Sequence, residues 1–391
     1  MRFFRRVTAA TLRGKKMTHN IDPKGALHSL MAKVADQSAR TQDFLTSTGN
    51  LQLETGNNTS KVVLERSGGV PTTQLRVNDV AFQQIASQTG IDVRTARRFQ
   101  EHYPDVLDHA VNRIWGNEST DRMLRTFDNQ TAGKNGTLRA FVSSKFKTFD
   151  NVHLLESTLP TLMESDAQWR VANADLTDKR LYMRFVSDVI QAEPVLGDVM
   201  ANGVGLSNSE VGMGSVSVYQ WICTLACLNG MRTEKQTRSS HVTSARSSDS
   251  YELLTDEAKT ADNRALSLKT RDILASYASR QSFDEVIEQM RDAHGDRVNA
   301  AAVDAVAGVV KVLNGKKSDN TLIMDGLMKT VAQTGYVGRP LSRATIVNAV
   351  TAVGNMVEPD DKDEWHANGA KILNLSPSEW SVIKDAEPLA A

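Results

Sequence analysis

Two stretches of this 391-residue chain gather positive side chains without matching acids. From Gly133 to Phe149 it carries Lys134, Arg139, Lys145 and Lys147, no Asp or Glu, and interleaved rings at Phe141, Phe146 and Phe149. From Arg232 to Arg246 it carries Arg232, Lys235, Arg238, His241 and Arg246 against one acid, Glu234. Ammonium and guanidinium groups neutralise phosphates, and aromatic faces stack on bases whatever the sequence. The candidate nucleic-acid contacts are therefore Arg139, Lys145, Phe146, Lys147, Phe149, Arg232, Lys235, Arg238, His241 and Arg246. The plainer reading of the same residues is two solvated surfaces with the phenylalanines in the core.

Other chemistry is sparse. The eight histidines are scattered, and no H-E-x-x-H, G-x-S-x-G or Walker pattern occurs. No catalytic residue, metal or cofactor is expected. A metal-dependent enzyme acting on nucleic acid or nucleotide is the alternative, and would need carboxylates such as Asp175, Asp178, Asp188 and Glu193 around an ion. Their spacing fits no motif. The acidic run Glu358 to Glu364 lacks the ordered loop of an EF-hand and reads as an exposed, solvated loop. The two cysteines, Cys223 and Cys227, sit in the most apolar stretch and read as buried reduced thiols, which suits a cytoplasmic protein.

Lys plus Arg and Asp plus Glu both number 46, so any contact with nucleic acid must come from local patches. No run of eighteen apolar residues occurs, and no membrane partner is expected. The first sixteen residues carry six cations and no acid, as in a transit peptide, but read more simply as a flexible leader before Met17.

The elements that must position these residues are organised around Val204 to Met231. Glycines at 203, 205, 212 and 214 bracket the turn Ser207-Asn208-Ser209-Glu210. This is a glycine-rich hairpin that lets a core element cross closely, or a backbone cradle for a ligand. A strand from Asp198 to Leu206 precedes the turn; a buried strand or helix follows it and stops at Asn229-Gly230.

Upstream, Asp22 to Thr46 is weakly helical, and Gly49 to Gly69 holds one strand, Lys61 to Arg66. Helices follow over Asn78–Gly90, Val93–Tyr103 and Pro104–Trp115. Three arginines on the second, Arg94, Arg97 and Arg98, invite comparison with helix-turn-helix, without a base-reading pattern to support it. Strands are predicted over Met123–Phe127, Leu138–Val142, Gln168–Ala174 and Arg180–Ser187, with a helix over Asn151–Glu164. After Ser250 the pattern is helical to the end, closing on a short helix from Trp365 to Leu375. The expected fold class is α+β: a largely antiparallel sheet with an embedded helix, flanked by helical N-terminal and C-terminal parts. The expected divisions are a leader and loosely ordered arm (1–70), a helical segment (71–121), an α+β core (122–249) and a helical C-terminal region (250–391).

The words LSNSEVGMGS and ICTLACLNGM, followed by RSSHVTSAR, resemble a phage- and plasmid-borne family catalogued as domain of unknown function 932. Its members show a similar NSE-x-G turn, a strand, an NGM-like end and a basic segment with a histidine. Phe82 to Trp115 and Ser342 to Trp380 are also similar to that family. The resemblance implies a setting in phage or mobile-element nucleic-acid metabolism. The α+β order also resembles the Rad52-type annealing fold. Together these lead to the expectation of a homo-oligomeric single-stranded DNA-binding protein that anneals strands without nucleotide hydrolysis. A structural, partner-binding protein of a mobile element is a further alternative.

Overall fold

A computed structural model describes residues 23–64, 73–127, 136–226, 229–233, 241–242, 254–333 and 338–387. The chain is α+β, with two largely antiparallel sheets and helical N-terminal and C-terminal parts.

The first sheet takes strands β1 (Thr41–Ser47), β2 (Leu51–Gly56), β3 (Thr59–Leu64), β4 (Thr73–Val77), β5 (Asp121–Phe127) and β6 (Gly136–Ser143). Their order is β1-β5-β6-β4-β3-β2, and only β4 and β6 run parallel. Helix α1 (Pro23–Arg40) leads directly into β1. Helices α2 (Asp79–Gln88), α3 (Val93–His102) and α4 (Pro104–Asn117) cover the sheet. Their starts are locally encoded: Asn78 caps Ala81, Asp92 caps Thr95, and Pro104 opens the third. Phe82, Ile85, Leu107 and Trp115 pack on Leu53, Leu75, Leu124 and Leu138. Asn112 closes the β2 edge, accepting from the Leu53 amide (2.7 Å) and donating to its carbonyl (2.9 Å).

The second sheet takes β7 (Trp169–Leu176), β8 (Leu181–Ala192), β9 (Met200–Asn208), β10 (Val216–Thr224) and β11 (Asn229–Thr233) as an antiparallel meander. A two-residue strand, β12 (His241–Val242), joins the edge of β10. One face is apolar. Leu181, Met183, Phe185, Val204, Leu206, Val216 and Val218 pack on α1, α5 (Asn151–Glu164) and α6 (Asp256–Tyr277). The opposite face carries Tyr182, Arg184, Tyr219, Trp221 and Arg232, all buried.

The C-terminal helices are α7 (Arg280–Gly295), α8 (Ala302–Val312), α9 (Asp319–Gln333), α10 (Arg343–Val353), α11 (Pro359–Leu373) and α12 (Pro377–Lys384). α10 is their axis, buried from Ala344 to Val353 and started by a Ser342–Thr345 capping box. The far end of the second sheet, through Met200, Ile222 and Met231, joins the same core.

Several expectations are corrected. Residues 41–64, read as part of a loose arm, supply three strands of the first sheet. The strands assigned to one core sheet divide between two, because β5 and β6 pair with β1 and β4 rather than with β7 to β12. The stretch after the glycine turn is the strand β10, which ends at Thr224 rather than at Asn229-Gly230, and Asn229-Gly230 opens β11. Asn229 reaches the C-terminal helices, its side-chain carbonyl oxygen accepting from Asn355 at 2.8 Å. The run Glu358 to Glu364 is no loop: Pro359 starts α11, and Asp363 is buried. Among the described residues, no helix is long and apolar enough to cross a membrane.

The glycines before the turn serve ring packing. A methyl group on Gly205 would occupy the Tyr219 ring, which lies across it. Gly205→Ala is expected to lower stability in urea by roughly 1–3 kcal/mol. Gly56→Ala, where a methyl group meets nothing within 4 Å, should change the same titration by under about 1 kcal/mol.

Candidate nucleic-acid interface

The Ser209–Ser215 turn sits at the seam between the two sheets. The Glu210 carboxylate accepts the Asn151 amide at 2.7 Å and pairs with Arg139 at 2.9 Å. The Glu210 carbonyl accepts from Arg125 at 2.7 Å. Arg125, 0% exposed on β5, also binds Asp43 of β1 (2.9 Å) and Asp150 at the start of α5 (2.7 Å). Gln84 of α2 joins Val211 (2.7 Å) to Phe141 (2.7 Å), and the Ser209 hydroxyl donates to the Lys179 carbonyl (2.7 Å). Gly212 makes the turn possible with φ +75° and packs on Val142 and Phe146. The glycine motif is thus a hairpin that clamps two sheets together.

This seam decides the fate of the expected contact residues. Arg139 is buried against Glu210 and lies 4.3 Å over the Phe127 ring. Burial lowers its pKa, against the opposing pull of Glu210. Phe149 is sealed in the core with Leu154 and Leu155. Arg232 is buried on β11, 4.3 Å over Tyr219 and 3.5 Å from Asp363. These three were expected at a surface and are corrected: each is turned inward by a partner distant in sequence. Lys147 pairs with Asp262 of α6. Lys145 and Phe146 are half-buried in the loop after β6, where Phe146 touches Gly212. Lys235, Arg238 and Arg246 lie outside the described residues, and of His241 only the main chain is described, paired with Ser217.

That pairing sets the main chain of His241, within the second basic run, beside the start of β10. β12 attaches at Val216–Ser217, immediately after the turn whose Gly212 meets Phe146. The β7–β8 turn adds Lys179 and Arg180 at the same end, the Arg180 Nε donating to the Met213 carbonyl at 2.9 Å. Lys179 is 3.7 Å from Asp360.

Sequence reasoning missed the polar face beneath α11. Asp363 pairs with Arg184 and accepts from the Tyr219 hydroxyl at 2.9 Å. Asp360 accepts from Thr177 at 2.9 Å and from Tyr182 at 3.1 Å. Burial first, with Asp363 beside it, raises the pKa of the Tyr219 hydroxyl. His366 is sealed next to Trp221, with ring centroids 6.4 Å apart. Burial, then Arg184, Lys362 and Arg232, holds its pKa well below the ordinary value. The signal was present: Tyr182 and Arg184 alternate with Leu181, Met183 and Phe185, so the second face had to be polar.

The carboxylates weighed for a metal stand apart. Asp175 pairs with Lys362 (3.4 Å), Asp188 with Arg170 (2.7 Å), and Glu193 accepts the Gly197 amide. Asp178 lies in the β7–β8 turn. Among the described residues no three His, Cys, Asp or Glu side chains are grouped to hold an ion. Comparison with family models, curated proteins and solved structures finds no match.

Glu210→Ala strands Arg139 and the Asn151 amide, and should cost about 3–5 kcal/mol in urea unfolding. His366 gives a pH dependence. The unfolded ring protonates near 6.5 and the folded ring only at lower pH. Stability from this group is therefore present above 6.5 and lost progressively on acidification below it. His366→Leu should flatten the fall in melting temperature over that range.

Proposed function

We propose that this protein binds single-stranded DNA at the turn end of the second sheet and promotes strand annealing without nucleotide hydrolysis. One observation carries the reading. β12, His241–Val242 within the second basic run, pairs with Val216–Ser217 beside the turn that touches Phe146, so a described part of each run meets at one end of one sheet. Lys145, Lys179 and Arg180, with Lys235, Arg238 and Arg246 on the segments that flank β12, supply the phosphate contacts. Phe146, half-buried, would supply a ring for stacking. Arg139 and Arg232 hold the scaffold rather than the strand.

Annealing by this route needs only that the backbone be held and the base edges left free. The resemblance to the 932 family and to Rad52-type proteins favours the same setting, in which the chain would act as a homo-oligomer. The burial of Cys223, whose thiol donates to the Thr224 carbonyl, is compatible with a cytoplasmic protein.

The test is fluorescence anisotropy with a mixed-sequence single-stranded oligonucleotide at two salt concentrations. The wild type should bind at low salt and weaken as salt rises. Replacing Lys145, Lys235, Arg238 and Arg246 by Glu should weaken binding by roughly tenfold or more. The salt slope should fall by about 0.7 for each phosphate that the variant no longer neutralises. Absence of binding at low salt, or equal binding by the variant, defeats the proposal.

A further inference from the structure

We infer that the face of the second sheet beneath α11 is a covered polynucleotide platform, and that the acidic first half of α11 is its displaceable cover. This rests on the reading of the chain as a single-strand binder. The face combines three rings, Tyr182, Tyr219 and Trp221, with two guanidiniums, Arg184 and Arg232. The strand register places them side by side: Arg184 and Tyr219 both flank Gly205, and Trp221 faces Arg232. Rings beside guanidiniums are the composition that holds single strands through stacking and phosphate contacts.

α11 covers this face with carboxylates set where phosphate oxygens would go. Asp360 takes Thr177 and Tyr182 and lies 3.7 Å from Lys179; Asp363 takes Arg184 and Tyr219 and lies 3.5 Å from Arg232. The match is incomplete. Arg184 Nε, Trp221 Nε1, Ser207 Oγ and both ring nitrogens of His366 are buried without a hydrogen-bond partner. Buried polar groups are usually satisfied, so these call for an explanation. One carboxylate serves two guanidiniums here, whereas a phosphate group offers more acceptor oxygens to the same pair.

The helix is divided in a way that permits partial release. Asp360, Asp363 and His366 meet the sheet, while Ala370, Ile372 and Leu373 belong to the C-terminal core, against which the partly buried Trp365 also packs. Gly369 stands between the two halves, a weak point in a helix interior. The entrance is at the proposed DNA site. The Lys179–Asp360 pair is partly exposed, at 39% and 25%, and the row Tyr182, Ser207, Ser217 ends at β12. A strand held by the basic runs meets Asp360 first and exchanges phosphate for carboxylate from there inward.

Two measurements test this. In hydrogen exchange, saturating single-stranded oligonucleotide should speed exchange of residues 359–368 at least severalfold and leave 370–373 unchanged. In the variant Thr177→Cys with Asp360→Cys, its disulfide verified by mass spectrometry, the oxidised form should bind oligonucleotide severalfold more weakly than the same protein reduced. The reduced form, lacking one cover carboxylate, should bind more tightly than wild type. If wild type binds the oligonucleotide but residues 359–368 exchange no faster and oxidation changes nothing, the cover is refuted and the turn-end site stands. If wild type binds no oligonucleotide, both fall.

Discussion

Buried charge needs opposite charge, and two buried arginines at the seam between the sheets set the arrangement of the rest. Arg125 draws in Asp43 from β1, Asp150 from the start of α5 and the Glu210 carbonyl from the second sheet. Arg139 takes the Glu210 carboxylate. Removing any of these acids would leave a guanidinium desolvated and short of a partner, so the two sheets are held in one relation. The seam also explains why Asp150 makes no side-chain cap on α5 despite standing at its N-cap: its carboxylate belongs to Arg125.

The second sheet applies the same rule on its far face. Its near face is an ordinary apolar layer under α1, α5 and α6. The far face is polar yet covered, and α11 covers it only because Asp360 and Asp363 bring the opposite charge. Gly205 belongs to this arrangement, since the Tyr219 ring lies across it and its hydroxyl reaches Asp363. Stability and the proposed DNA chemistry thus draw on one kind of contact, a cation with an oxygen anion. The protein's own acids occupy the inner cations, and Asp360 also reaches Lys179 at the turn end.

Much of the fold was legible in local signals. The helix starts read at Asn78, Val93 and Pro104 are kept by the structure, and α5 runs over the predicted residues. Alternation found β5, β6, β7 and β8. What could not be read was pairing. Whether β5 joins β1 or the later meander depends on residues far away, and Asn229-Gly230 opens a strand because β10 lies beside it. In the site, the chemistry of the two basic runs was legible, but not which of their members would face inward.

The chain by itself determined the type and place of most elements and the inventory of charge, because capping, turn geometry and alternation act within a few residues. Only the tertiary structure decided that Arg139, Phe149 and Arg232 are interior, that Glu358 to Glu364 is largely helix over a basic face, and that β12 pairs with β10 just after the turn. The physical reason is that desolvation is compensated by partners brought from distant parts of the chain, and nothing in the neighbourhood of an arginine names the acid that will bury it.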